Sequence, residues 1–160
     1  MRLDPSRLAE LRRSLILDSS PERAYDEITQ LLSSSLAVPF TMVNMMDGTR
    51  DWFKSCVGLQ QTDSPAVTSM CEIFFTTAND LVVVEDTLND ARFKAHPKVI
   101  GPPFIRFYAA ARLMVRDQTV GTLCAYDVEP RKLSVQQLDQ LRSLAGAAVT
   151  LIEQRSTGRT

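Results

Sequence analysis

The residues best equipped for chemistry crowd into one stretch, Asp86 to Tyr108. It holds Asp86, Asp90, Arg92, Phe93, His96, Arg106 and Tyr108 among Pro97, Pro102 and Pro103. Guanidinium groups beside aromatic faces suit a small carboxylate, a phosphate or a planar heterocycle, through bidentate hydrogen bonds and stacking. Asp86 and Asp90 are the obvious internal partners for these arginines. Two readings therefore stand side by side: the Asp–Arg pairs staple the segment down, or the arginines serve a ligand. The stretch has little helical or strand periodicity and is costly to order, which makes it a lid or site wall.

Three further side chains invite the same weighing. Trp52 is either a pocket wall or a core plug, since tryptophan buries a large area. Cys71 sits in a short helical stretch, Ser69–Thr77, where a helix N-terminus or an arginine would lower its pKa; the alternative is a buried, inert thiol. His96 has no Cys or Ser partner in sequence to mark it as a catalytic base. The three cysteines, Cys56, Cys71 and Cys124, are odd in number and far apart. That argues against a disulfide framework and, with a single histidine, against a metal site. No cofactor is indicated.

Something must position these groups. Asp4 as N-cap and Pro5 at the first helical position start a helix with Leu8, Leu11 and Leu15. Asp18-Ser19-Ser20-Pro21 breaks it, and Ser20 and Pro21 are expected to start a second helix with Ala24, Ile28, Leu31, Leu32 and Ser35 on one side. Phe40–Met46 and Asp51–Cys56 read as a hairpin around Asp47-Gly48. Residues 59–68 read as loop, Leu81–Val84 as a buried strand, and Ile105–Val115 as the longest strand. Asp117-Gln118 is expected to turn the chain into Val120–Tyr126, which sets Cys124 opposite Ala111 and away from Tyr108. A capping box, Ser134 with Gln137, opens a last helix whose stripe is Leu138, Leu141, Leu144, Ala148 and Ile152. Hairpins with helices before and after predict an α+β fold around an antiparallel sheet of five to six strands.

Composition excludes several classes. At 160 residues and 17.9 kDa the chain is one domain with room for terminal helices. The expected divisions are an N-terminal helix over 1–17, a domain over 18–154 and a frayed tail over 155–160. A net charge of −1 gives no global pull toward nucleic acid or anionic membrane, and Arg92, Lys94, His96 and Lys98 read as a solvated loop face. No apolar run approaches the ~20 residues of a membrane span, and no signal-peptide core follows Met1, so a cytoplasmic protein is expected. Strand–GxGxxG–helix and GxxxxGK[ST] units are absent, which removes dinucleotide and P-loop readings.

The element order and several local motifs resemble the GAF domain, the small-molecule sensor module of bacterial signalling proteins, including sensor kinases and diguanylate cyclases. Met45-Met46-Asp47-Gly48 through Trp52-Phe53-Lys54 is similar to the family's first hairpin, and Ser69-Met70-Cys71 to its Ser-Phe-Cys step. Val83-Val84-Glu85-Asp86, Asp90-Ala-Arg92-Phe93 and His96-Pro97-Lys98-Val99 resemble its pocket-closing stretch. Ile105 to Ala109 and Gly121-Thr122-Leu123-Cys124 resemble the strands beyond it. The resemblance implies terminal helices on one sheet face, lid and short helices on the other, and a ligand between sheet and lid. On it, Trp52, Cys71, Asp86, Asp90, Arg92, Phe93, Arg106 and Tyr108 are the candidate ligand-binding residues. It also implies a homodimer through the terminal helices and a separate signalling protein as output partner. A pure interaction module with a self-filled pocket is the second reading. The chain departs from the family at Ala110, at Arg112 in place of a proline, and in lacking a turn glycine near Asp117. Free methionine-R-sulfoxide reductases share the fold, but Ala95–Ile105 lacks the cysteine that chemistry uses, and Glu72 stands where bilin-binding relatives carry a histidine.

Overall fold

The computed structural model describes residues 1–157. Its elements run α1 (Pro5–Arg13), α2 (Arg23–Leu36), β1 (Phe40–Met46), β2 (Arg50–Val57), β3 (Asp63–Pro65), β4 (Leu81–Val84), α3 (Pro97–Ile100), β5 (Phe107–Val115), β6 (Gln118–Asp127) and α4 (Val135–Thr157). Short 3₁₀ segments lie at Ala66–Thr68, Met70–Phe75 and Thr87–Asn89. The strands form one antiparallel sheet in the order β3-β2-β1-β6-β5-β4, the α+β arrangement expected.

Each face has its own core. On the helix face Leu11, Tyr25, Leu32, Val43, Met45, Phe107, Leu113, Leu123, Leu141 and Ala148 are buried together. On the lid face Met42, Met46, Cys71, Phe74, Phe93, Tyr108 and Cys124 pack beneath the 3₁₀ turns and α3. The strand pleat separates the two sets, since successive side chains point to opposite faces.

Local signals explain most boundaries. Asp4 Oδ1 accepts the Ser6 N–H at 3.1 Å, and Pro5 opens α1. The capping box of α4 is reciprocal: Gln137 N–H donates to Ser134 Oγ at 3.1 Å, and Ser134 N–H to Gln137 Oε1 at 2.9 Å. α4 continues through Arg155, whose Nε donates to Ser14 O at 3.1 Å, so 155–157 belong to the helix. Residues 158–160 of the expected tail lie outside the described residues.

Two expectations are corrected. α2 starts at Arg23 rather than Pro21, with Glu22 as its N-cap, where Lys54 from β2 holds the approach by donating to Ser20 O and contacting Glu22 at 2.7 Å. The β5–β6 turn is Arg116-Asp117, both at positive φ (50° and 63°), between the paired Val115 and Gln118. A register shift at Leu113/Met114 then sets Cys124 opposite Ala110, not Ala111. Cys124 consequently faces the lid, on the same side as Tyr108.

A bulge in β2 decides which of its side chains face the helices and which the lid. Val43 pairs with Ser55 and Asn44 with Phe53, leaving Lys54 as the extra residue. Lys54 and Ser55 therefore both face the helices. Lys54 Nζ contacts Glu22 at 2.7 Å, and Ser55 Oγ donates to Asp26 at 2.6 Å, so β2 is fastened to α2 while Asp51 and Phe53 face the lid side.

Candidate functional site

The space between sheet and lid is divided. Over β4, β5 and β6 the protein fills it with its own side chains. The Tyr108 ring lies 5.5 Å from Phe93 and 5.2 Å from Tyr126, tilted against both, and its hydroxyl donates to Cys71 Sγ at 3.1 Å. Cys71 Sγ also lies 3.1 Å from Thr122 Oγ1. Burial pushes the Tyr108 and Cys124 protons far up, which keeps both groups neutral. At Cys71 burial works against the thiolate, while bonds from Cys124, Thr122 and Tyr108 pull the other way and lower its pKa on balance. No water reaches it: Cys71 is 0% exposed.

Over β1 and β2 the space stays open as a cavity of about 450 Å³. Its floor is Met42 and Asn44 from β1 with Asp51 and Phe53 from β2. Leu59, Gln61 and Ser64 form one wall, and Lys98, Pro102, Pro103 and Ile105 the other. Tyr126 is shared between this cavity and the filled half.

A buried polar node underlies the floor. Asp51 Oδ2 accepts Asn44 Nδ2 at 3.1 Å and a short bond from Ser69 Oγ, while Arg2 Nη2 stands 3.0 Å from Oδ1. Arg2 also donates to Asp47 O at 2.7 Å and to Glu72 at 2.9 Å. Arg2, just ahead of α1, thus ties the β1–β2 hairpin and the Met70–Phe75 turn to the cavity floor. Gly121 makes the close approach of β6 to Asn44 possible, because a Cβ there would stand 2.1 Å from Asn44 O.

The eight candidate residues fall in different places, and none of them lines the cavity. Cys71, Phe93 and Tyr108 meet in the filled half, with the Arg92 guanidinium 5.7 Å from the Phe93 ring centre. Asp90 binds Arg92 within the lid, through Nη2 at 2.7 Å and Nε at 3.0 Å, and this bond holds the Asp90 carboxyl below its ordinary range. Asp86 caps the Thr87–Asn89 turn, accepting Leu88 N–H at 3.1 Å. Arg106 lies one residue before β5, and its backbone N–H donates to Asp127 O at 2.8 Å. Trp52 is buried on the helix face, while its neighbours Asp51 and Phe53 face the cavity. Sequence reasoning missed Asn44, Asp51 and Lys98 as cavity residues. A signal for Asn44 was present: a lone amide inside the apolar strand Phe-Thr-Met-Val-Asn-Met-Met.

The sequence pattern of the GAF domain matches residues 20–152. The chain belongs to the GAF domain family. It is 32% identical over 127 residues to a cyclic di-GMP phosphodiesterase of Pseudomonas aeruginosa, an alignment covering 79% of this chain and 22% of that protein's length. The fold is similar to the GAF domain of Thermosynechococcus elongatus PixJ in its blue-light-absorbing form, with a TM-score of 0.65, 18% identity, and 92% of this GAF chain and 89% of that one covered. It is also similar to the free methionine-R-sulfoxide reductase of Neisseria meningitidis in complex with its substrate, with a TM-score of 0.65, 16% identity and coverage of 95% and 89%. Among the described residues no helix of this GAF domain is long and apolar enough to cross a membrane. Nor does any group of His, Cys, Asp and Glu among them form a metal cluster.

Proposed function

We propose that this GAF domain is a regulatory module that binds a small, planar, anionic ligand between sheet and lid and reports its presence through the terminal helices. The observation that carries the reading is the open cavity. Its roughly 450 Å³ lies within the ~300–1,000 Å³ usual for small-molecule sites, and its walls are mostly apolar with a few fixed polar groups. The half-buried Lys98 supplies the positive pole, its ammonium reaching Ser64 Oγ at a long 3.4 Å. Arg2 supports the relay, since any movement of Asp51 on binding is felt directly at the start of α1.

Binding without turnover is favoured over reductase chemistry because no thiol lines the cavity among the described residues, and Cys71 and Cys124 are both 0% exposed. The three unpaired thiols fit a reducing, cytoplasmic setting. A signalling output such as the phosphodiesterase of the Pseudomonas relative is the kind of partner we propose. For the homodimer, the shallow groove where Leu31 of α2 and Ala147 and Leu151 of α4 meet is the surface we propose, and light scattering reads it directly.

Native mass spectrometry of the purified protein, followed by a thermal-shift panel of nucleotides, carboxylates and heterocycles, tests the main reading. A bound ligand stabilises by ~2.7 kcal/mol at a hundredfold excess over Kd. A panel in which no class stabilises the protein rejects the sensor and favours the interaction module, whose space the Phe93–Tyr108–Tyr126 cluster already half fills.

A further inference from the structure

We propose that the cavity floor is a subsite for an N–H donor, in which Asn44 Oδ1 accepts a hydrogen bond from a neutral ring N–H or exocyclic amine of the ligand. The inference rests on the cavity being a ligand site and goes on to say what the ligand must present. Asn44 is 1% exposed and its Oδ1 has no hydrogen-bond partner within the protein. Its amide cannot turn round to find one. Nδ2 donates to Asp51 Oδ2 at 3.1 Å, and a flipped amide would set two acceptor oxygens against each other. The carbonyl is therefore held in place with an unused acceptor. A buried, unsatisfied polar atom is costly, and native structures hold few of them.

The neighbouring carboxylate explains why a neutral donor is selected rather than a cation. Asp51 Oδ2 accepts from Asn44 and Ser69, and Oδ1 is ion-paired with Arg2 Nη2 at 3.0 Å, although those two atoms share no hydrogen bond. Arg2 supplies the positive charge, so the node acts as a fixed scaffold for Asn44 rather than a free counter-ion. Flat apolar neighbours, Phe53 and Ile105 with Pro102 and Pro103, suit a planar body, and Lys98 suits an anionic substituent. The ligand class that meets all three demands is a planar N–H heterocycle bearing a carboxylate or phosphate.

Matched probes isolate the N–H. Indole-3-carboxylate against benzofuran-3-carboxylate, and benzimidazole-5-carboxylate against benzoxazole-5-carboxylate, differ only in N–H against O. Titrated by NMR into the intact protein, the N–H member of each pair binds roughly tenfold to hundredfold tighter. Asn44→Leu abolishes that preference, whereas Lys98→Met weakens both members alike and leaves the ratio unchanged. A nuclear Overhauser contact between the probe N–H and the Asn44 side-chain amide in the wild-type protein gives the same answer without relying on the variant's folding. Equal affinities within both pairs, or a preference that survives Asn44→Leu, overturn the N–H subsite and leave the cavity reading standing. Failure of all four probes to bind at millimolar concentration overturns both.

Discussion

Arg112 offers the most exacting test of how the lid side is held. Its backbone N–H donates to Asp80 O at 2.8 Å, a ladder bond that a proline at this position would lack. Its side chain, 7% exposed, donates at 2.8 Å to Phe74 O, Thr77 O, Asn79 O and Thr119 Oγ1, and at 3.1 Å to Asp80 Oδ1. Replacing Arg112 by Met keeps the stem and removes every donor. The magnitude depends on which partners water can take over. Asp80 is 83% exposed and the carbonyls of Thr77 and Asn79 lie near the surface, so these rehydrate at little cost. Phe74 O and Thr119 Oγ1 belong to residues that are 2% and 8% exposed and are left without a donor. At ~1–3 kcal/mol for each of the two orphaned groups, Arg112→Met costs roughly 2–6 kcal/mol. Because Met70–Phe75 carries Phe74 and comes directly after Ser69, which bonds Asp51, the loss loosens this turn first. Urea denaturation measures the total, and hydrogen exchange of residues 70–80 locates it. Arg112→Lys, with fewer donors in a different geometry, falls between wild type and Met. A loss under about 1 kcal/mol, or unchanged exchange over 70–80, refutes the claim that burial of the partners sets the cost.

The same structure sets three further expectations. His96 Nδ1 caps α3 by accepting Lys98 N–H at 3.0 Å, and burial, with Lys98 adding to it, lowers the imidazole pKa below its ordinary 6.5. A group whose pKa is depressed on folding binds fewer protons folded than unfolded, so its stability contribution is present above pH 6.5 and falls as the pH drops below it. Hydrogen exchange over 96–101 should accelerate between pH 7 and pH 5 after correction for intrinsic rates, and His96→Asn should remove that dependence; an unchanged profile in the variant would falsify the assignment. Gly121→Ala forces β1 and β6 apart at Asn44, since its Cβ would stand 2.1 Å from Asn44 O, and should cost about 1–3 kcal/mol or more in denaturant titration. Arg116→Asn with Asp117→Gly relieves two left-handed residues at φ 50° and 63° and should stabilise the protein by ~1 kcal/mol, read as a raised Tm; a lowered Tm rejects the strain argument.

Much of the fold was legible because its signals are local. The helix caps at Asp4 and Ser134, the strand Leu81–Val84 and the alternation of Phe107–Val115 depend on neighbours a few residues away, and short-range chemistry suffices to place them. So, too, was the aromatic cluster: Phe93 and Tyr108 stand out in the sequence, and they meet at 5.5 Å. The open cavity, the candidate site, was not legible. A single bulge at Lys54 and a register shift at Leu113/Met114 decide which side chains share a face, and a slip of one residue reverses that choice for everything downstream. The start of α2 was decided by Lys54 and by Arg155 far along the chain, both bound to Glu22.

The sequence by itself determined that this is an α+β domain of the GAF family with a long, aromatic-rich segment closing over its sheet. Tertiary structure alone decided that the segment fills one half of the space beneath it and leaves the other half open. The physical reason is that filling depends on volumes meeting across the sheet. Phe93, Tyr108, Tyr126 and Cys71 come from four separate elements and pack solid only once β4, β5 and β6 are in register. Over β1 and β2 no comparable set converges among the described residues, and the buried amide there, Asn44, keeps an oxygen with nothing to receive.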